Sequence, residues 1–177
     1  VTLRGRFSAG LIVPGEGPAI PGGVIEVGDG LVTALFPGPD TTATDLGNIV
    51  LLPGLVNAHT HGHGSLGKGL RDKWPLELLL NASPWMSAGF TLEDKRTAAL
   101  LNAAEMILKG CTAAYDMYFE FPTPSVDGLT AIGRAYEEVG VRVVLAPQMS
   151  DTGFYHAIPG LLDALPERHR RHVESLR

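Results

Sequence analysis

A chain of 177 residues, 45% hydrophobic and 19% charged, has the composition of an ordinary soluble globular protein. Its formal net charge of −5 argues against nucleic acid or an anionic membrane surface as a partner. No apolar run approaches the roughly 20 residues of a membrane helix, the opening VTLRGRFSAG lacks a signal-peptide core, and the lone Cys111 permits no intrachain disulfide, so a cytoplasmic setting is expected.

Residues 1–50 are rich in Gly and Pro with short β-type runs. Two of these, 24–27 and 31–36, flank Gly28-Asp29-Gly30, which predicts a hairpin. The next run, Leu51-Leu52-Pro53-Gly54-Leu55-Val56, leads into Asn57-Ala58-His59-Thr60-His61. On a strand, side chains two apart share a face, so His59 and His61 would project together from one strand end with Thr60 turned away. Neutral imidazoles suit zinc, and also iron and nickel. His63 continues the spacing, but Gly62 and Gly64 around it predict that the strand has ended.

Further on, Thr91 with Asp94 three residues later predicts a capping box opening an Ala- and Leu-rich helix that runs to Lys109 and stops at Gly110. Residues 112–119 read as a strand opened by Cys111, a small buried residue there rather than a catalytic thiol. Ser125 or a neighbour starts a helix with Val126, Leu129, Ile132, Tyr136 and Val139 on one face, ended by Gly140, and residues 141–149 read as a further strand. These two strands begin about thirty residues apart, the length of one βαβ unit. After Pro159 the chain reads as helical, closing in the charged run 167–177. His169 and His172 share a side of that helix and read as a solvated basic face.

The segment LLPGLVNAHTH resembles the first barrel strand of the amidohydrolase superfamily, in the branch holding cytosine, guanine and adenosyl-type deaminases and triazine chlorohydrolases. The resemblance extends to VIEVGDGLVTALF before it and to ILKGCTAAYDMYF and VGVRVVLAPQMSD after it. It implies an α/β fold: residues 1–50 as the N-terminal half of a small β-sandwich, and residues 51–177 as the first part, about three strands, of a TIM (β/α)8 barrel. A complete barrel takes about 250 residues, so the chain reads as a fragment whose remaining strands come from the same or a second polypeptide. A homo-oligomer is expected of the complete form.

By the same resemblance His59 and His61 are ligands of a divalent metal, zinc or alternatively iron, whose bound hydroxide attacks a C–N bond of a small heterocyclic or amide substrate. Deamination is favoured over amide hydrolysis or dechlorination. The family's other ligands and its proton-shuttling Glu fall on strands beyond this sequence, so no catalytic acid or base is assigned, and two ligands fall short of the usual three of catalytic zinc. The alternative is an inactive fragment or a subunit. Candidate substrate contacts are Gln148, whose amide both donates and accepts as in the Pro-Gln of cytosine deaminases, together with His63 and Asp116. Asp116 also fits a simpler task, orienting neighbouring backbone.

Trp74, Glu77 and Trp85 lie in the segment that shapes the pocket in this branch, though packing accounts for them as well. Leu78 and Leu79 stand where adenosyl deaminases carry an acidic-aromatic pair, which speaks against a nucleoside substrate. Residues 62–68 fit G-x-x-x-x-G-K, but Gly69 replaces the Ser or Thr that a phosphate-binding loop needs next.

Overall fold

Asp29 (φ 51°) and Gly30 (φ 79°) close the first hairpin, the paired positive φ angles of a two-residue turn whose twist matches its strands. The computed structural model describes residues 3–121, 123–149 and 154–174, and divides between Gly54 and Leu55 into two compact units.

The first unit holds β1 (Gly5–Ser8), β2 (Leu11–Ile12), β3 (Ile20–Pro21), β4 (Val24–Gly28), β5 (Leu31–Phe36), β6 (Thr44–Asp45) and β7 (Val50–Leu51). One sheet has the order β5-β4-β1-β6 and a second the order β3-β2-β7. Ala9, Ile12 and Val24 are buried between neighbours. Arg6 pairs with Glu26 at 2.6 Å and Asp40 at 3.1 Å, and its guanidinium lies over the Phe36 ring. The apolar run that starts at Leu51 is thus two strands: β7 pairs with β2 in the first unit, and Pro53-Gly54 separates it from the strand that carries the histidines. Proline has no N–H to give a ladder, which explains the break.

The second unit begins with β8 (Leu55–Thr60) and a short 3-10 helix (Gly62–Gly67), followed by α1 (Leu76–Ser87) and α2 (Leu92–Leu108). Then come β9 (Cys111–Tyr118), α3 (Val126–Val139), β10 (Arg142–Pro147), α4 (Phe154–Ala157), α5 (Leu161–Ala164) and α6 (Glu167–Glu174). The three strands form a parallel sheet in the order β10-β9-β8. The helix ends follow the sequence closely. Thr91 and Asp94 form the reciprocal capping box of α2, and Gly110 (φ 82°) receives the chain after it. The Ser125 hydroxyl accepts from the Gly128 N–H to cap α3, and Gly140 ends α3 in the left-handed region.

One face of this sheet is packed. Ala99, Ala103 and Met106 of α2 meet Ala114 and Tyr118 of β9, and Ile132, Ala135 and Tyr136 of α3 complete the core. The alanines bring α2 close to the strands, because a longer side chain there would need space that a packed interior lacks. Cys111 is half-buried against this core where β9 opens. Val126, expected on the buried face of α3, is 80% exposed: it is the first residue of the helix, beyond the reach of the sheet. The other face of the sheet presents Val56 (69% exposed), Tyr115 (42%) and Val144 (57%).

Pairing between β8 and β9 is not uniform. Asn57 lies opposite Ala114 and Thr60 opposite Asp116, so three steps on β8 match two on β9. This bulge turns both Asn57 and Thr60 toward α2, where the Asn57 amide donates to Met106 Sδ and Thr60 Oγ1 accepts from Asn102. No helix among the described residues is long and apolar enough to cross a membrane.

Candidate functional site

β8 delivers His59 near its end, and His61 follows one residue past it. The two rings lie edge to face with centroids 5.1 Å apart, while Thr60 goes to the helix side. His61 Nδ1 stands 3.1 Å from the Met117 carbonyl oxygen. A carbonyl only accepts, so Nδ1 carries a proton, and in the neutral ring Nε2 is then the nitrogen with the lone pair. That is the tautomer a metal-binding imidazole needs, with the strand itself as the orienting partner. The donor set therefore fits a divalent cation, although among the described residues no group of three or more His, Cys, Asp or Glu is placed to hold one.

His63 meets His61 edge to face at 5.7 Å and lies tilted against Phe119 at 6.1 Å. Its Nδ1 accepts from the Phe119 N–H at 3.4 Å, which leaves the proton on Nε2. Burial, with smaller contributions from the charges of His61 and Arg71, pushes its pKa down to about 4, so the ring is neutral at pH 7.

These rings open onto a cavity of about 710 Å³, lined on one side by His61, His63, Phe119, Phe121 and Gln148 and on the other by Leu76, Leu79, Leu80 and Tyr155. The size is that of a small-molecule site. Phe119 and Phe121 meet edge to face at 4.6 Å, and Tyr155 is fixed by donating to the Leu80 carbonyl at 2.8 Å. Gln148 is anchored through its backbone, whose N–H donates to the Tyr118 carbonyl at 2.8 Å, and its side chain is exposed along the cavity. Leu79, at one of the two positions that depart from the adenosyl-deaminase pattern, contributes apolar wall. Trp74 and Glu77 do not line it, and the side chain of Trp85 lies outside the described residues.

Asp116 is not a wall of this cavity; of the two roles the sequence left open for it, its contacts are those of a residue that orients neighbouring backbone. It is fully buried on the helix side of β9. Its carboxylate accepts from the Gly62 N–H at 3.0 Å and from the Tyr136 hydroxyl at 2.7 Å. The Tyr136 oxygen in turn accepts from Asn102 at 2.7 Å. Burial raises the Asp116 carboxyl above its ordinary range, against the pull of Tyr136, Gly62 and His61. This network ties the turn after His61 to β9, α2 and α3. It also explains Gly62: a Cβ there would stand 2.6 Å from Asp116 Oδ2 and 2.7 Å from the Tyr136 oxygen.

The residues around Glu120 were not singled out in the sequence. Glu120 lies between Phe119 and Phe121 and points the opposite way, buried to 6% exposure. It pairs with Lys95 of α2 and accepts from the Ser125 N–H at 2.8 Å. The alternation Phe-Glu-Phe past a strand end was the available signal. Elsewhere, residues 62–67 form the 3-10 helix and Lys68 pairs with Glu105 of α2, an arrangement unlike a phosphate loop. In α6, His169 accepts from Arg168 at 2.9 Å, and the side chain of His172 lies outside the described residues.

The site thus joins a parallel sheet, paired imidazoles at one strand end and a cavity beside them. Residues 50–175 match the amidohydrolase family, and the chain belongs to it. A 5'-deoxyadenosine deaminase of Methanothermobacter thermautotrophicus is 38% identical over 120 residues, 67% of this chain and 26% of the relative. A 5-methylthioadenosine/S-adenosylhomocysteine deaminase of Haloarcula marismortui is 40% identical over 102 residues, 57% of this chain and 22% of the relative. The chain thus spans about a quarter of the length of these curated relatives. Among solved structures, a mutant of atrazine chlorohydrolase TrzN from Arthrobacter aurescens TC1, complexed with zinc and atraton, superposes with a TM-score of 0.75 at 17% identity, over 86% of this chain and 37% of that one. E. coli guanine deaminase gives 0.59 at 17% identity, over 93% and 43%. At such identities the likeness is one of fold.

Proposed function

We propose that this chain is the first part of a (β/α)8 metal-dependent hydrolase, preceded by half of a small β-sandwich, and that the complete protein deaminates a small heterocyclic substrate. Amide hydrolysis and dechlorination are the related alternatives. The deaminase names of the relatives support the reaction, and the zinc reported in the TrzN structures supports the metal. The observation that carries the reading is the pair His59 and His61, with the tautomer of His61 set by the Met117 carbonyl.

His59 and His61 would hold the metal, which supplies a Lewis acid and water activated at neutral pH when bound. His63 offers an Nε2–H donor to a substrate acceptor atom, and Gln148 supplies an amide that pairs with a heterocyclic amide edge. Phe119 and Phe121 present flat apolar surface to a ring. Asp116 has a positioning role, holding the backbone that follows His61. The general acid, the general base and the remaining ligands belong to strands outside these residues, so the 177-residue chain alone is read as inactive. Val56, Tyr115 and Val144 on the open sheet face support completion by further strands, from the same or a second polypeptide.

Metal analysis of the complete protein tests this reading. His59→Ala should lose bound metal and ammonia release from aminopyrimidines and adenine nucleosides together. Retention of both by the variant would overturn the assignment.

A further inference from the structure

The glycines after β8 serve different neighbours. Gly62 gives way to the buried carboxylate, whereas Gly64 and Gly67 lie beneath Arg71. A Cβ at Gly67 would stand 2.6 Å from Arg71 Nη2, and one at Gly64 would stand 3.5 Å from it. The same nitrogen lies 3.5 Å from the Gly64 carbonyl oxygen, a long contact, and most of the five guanidinium donors have no partner among the described residues. Arg71 is half-buried and lines the cavity. The other cation on that wall, Lys68, is engaged by Glu105. Asp72 also lines the cavity, yet Arg71 forms no ion pair among the described residues. A guanidinium seated on glycine and lining a cavity with a largely apolar and aromatic wall has the chemistry to receive a planar anion.

We propose that Arg71 is the anion-recognition element of this cavity, taking a carboxylate or phosphate carried by a ligand whose ring lies against Phe119 and Phe121. The inference rests on the reading of the cavity as the substrate site, and it narrows the substrate class to heterocycles that bear an anionic substituent. Carboxylate and phosphate share the bidentate geometry that a guanidinium offers, so the experiment separates them.

The intact protein is titrated calorimetrically with adenosine, adenosine 5'-monophosphate and adenosine 5'-carboxylate. At least one anion is expected to bind about tenfold tighter than adenosine, with a preference that falls as salt is added. The member that binds tighter identifies phosphate or carboxylate as the group. Arg71→Gln should abolish the preference, and Arg71→Lys should keep part of it, because an ammonium retains the charge without the fork. Gly67→Ala, which displaces the guanidinium and keeps its charge, should weaken the preference as well, with thermal melting as the check that the fold is intact. Equal affinity for all three compounds, absence of binding by any of them, or an anion preference that survives Arg71→Gln would overturn the proposal. The hydrolase reading fails separately: a protein that holds no metal but keeps an Arg71-dependent preference sinks that reading and leaves this one standing.

Discussion

The two faces of the β10-β9-β8 sheet are built from the same three strands and differ in everything that follows from packing. Toward α2 and α3, Ala114, Asp116 and Tyr118 are 4%, 0% and 0% exposed. On the opposite face, Val56, Tyr115 and Val144 stand between 42% and 69% exposed. Composition does not separate the faces, since both carry apolar side chains. Among the described residues only the first is covered by helices, and the difference teaches that apolar character alone does not decide which face of a strand is packed.

The largest effect should come from emptying the finished face. Ile132→Ala removes a side chain 1% exposed against β9 and α2, and is expected to cost about 2–5 kcal/mol in a denaturant titration. A loss under 1 kcal/mol would mean that this face is not the core. Next comes the polar part of the same face. Tyr136→Phe leaves Asp116 without its hydroxyl donor and Asn102 with only the longer of its two acceptors, Thr60 Oγ1, for a cost of about 1–3 kcal/mol. Combined with Asp116→Asn the two losses should fall well short of additivity, because they disrupt one network.

A pH titration sharpens the comparison between two buried carboxylates. Burial raises the Glu120 carboxyl, but the hydrogen bonds from Lys95 and Ser125 outweigh it, and the net shift is downward. Its folded value lies below its unfolded one, so its stabilising contribution is complete above about pH 4.3 and is lost as pH falls through the lowered value. Asp116 is shifted upward, mainly by burial, so the folded state gains relative stability as the pH falls through that raised value. Glu120→Gln should therefore flatten the acid limb of a stability profile and Asp116→Asn should steepen it. Identical acid limbs for the two variants would contradict this division.

The smallest effect belongs to the open face. Val144→Ser in the 177-residue chain should change stability by no more than about 0.5 kcal/mol. The same change in a protein with the remaining strands should cost more. A large loss in the short chain would show that this face is already covered.

Local chemistry was legible in the sequence, and long-range geometry was not. The hairpin at Asp29-Gly30, the capping box at Thr91 and the stops at Gly110 and Gly140 depend on residues a few positions apart, and each lies where the spacing placed it. The adjacency of His59 and His61 likewise followed from side chains two apart. The sequence left two roles open for Asp116 because its partners, Gly62 and Tyr136, are 54 and 20 residues away, and no local pattern shows which face of a strand will be closed by a helix. Glu120 was missed for the same reason: Lys95 reaches it across 25 residues. Val126 satisfies the helical period of α3, but the period says nothing of where the supporting sheet ends.

The bulge between Asn57 and Thr60 acts as a frameshift written in three dimensions. A strand reads its residues alternately to two audiences, and the extra step in β8 changes which audience hears each one from there on. Strict alternation through residues 57–61, with Asn57 kept on the helix side, would put His59 and His61 on that side as well and turn Thr60 away. Thr60 would then leave Asn102, and the chain would reach Gly62 out of phase with its tether to Asp116. The metal-binding vocabulary would be intact, and the strand would speak it to the wrong side.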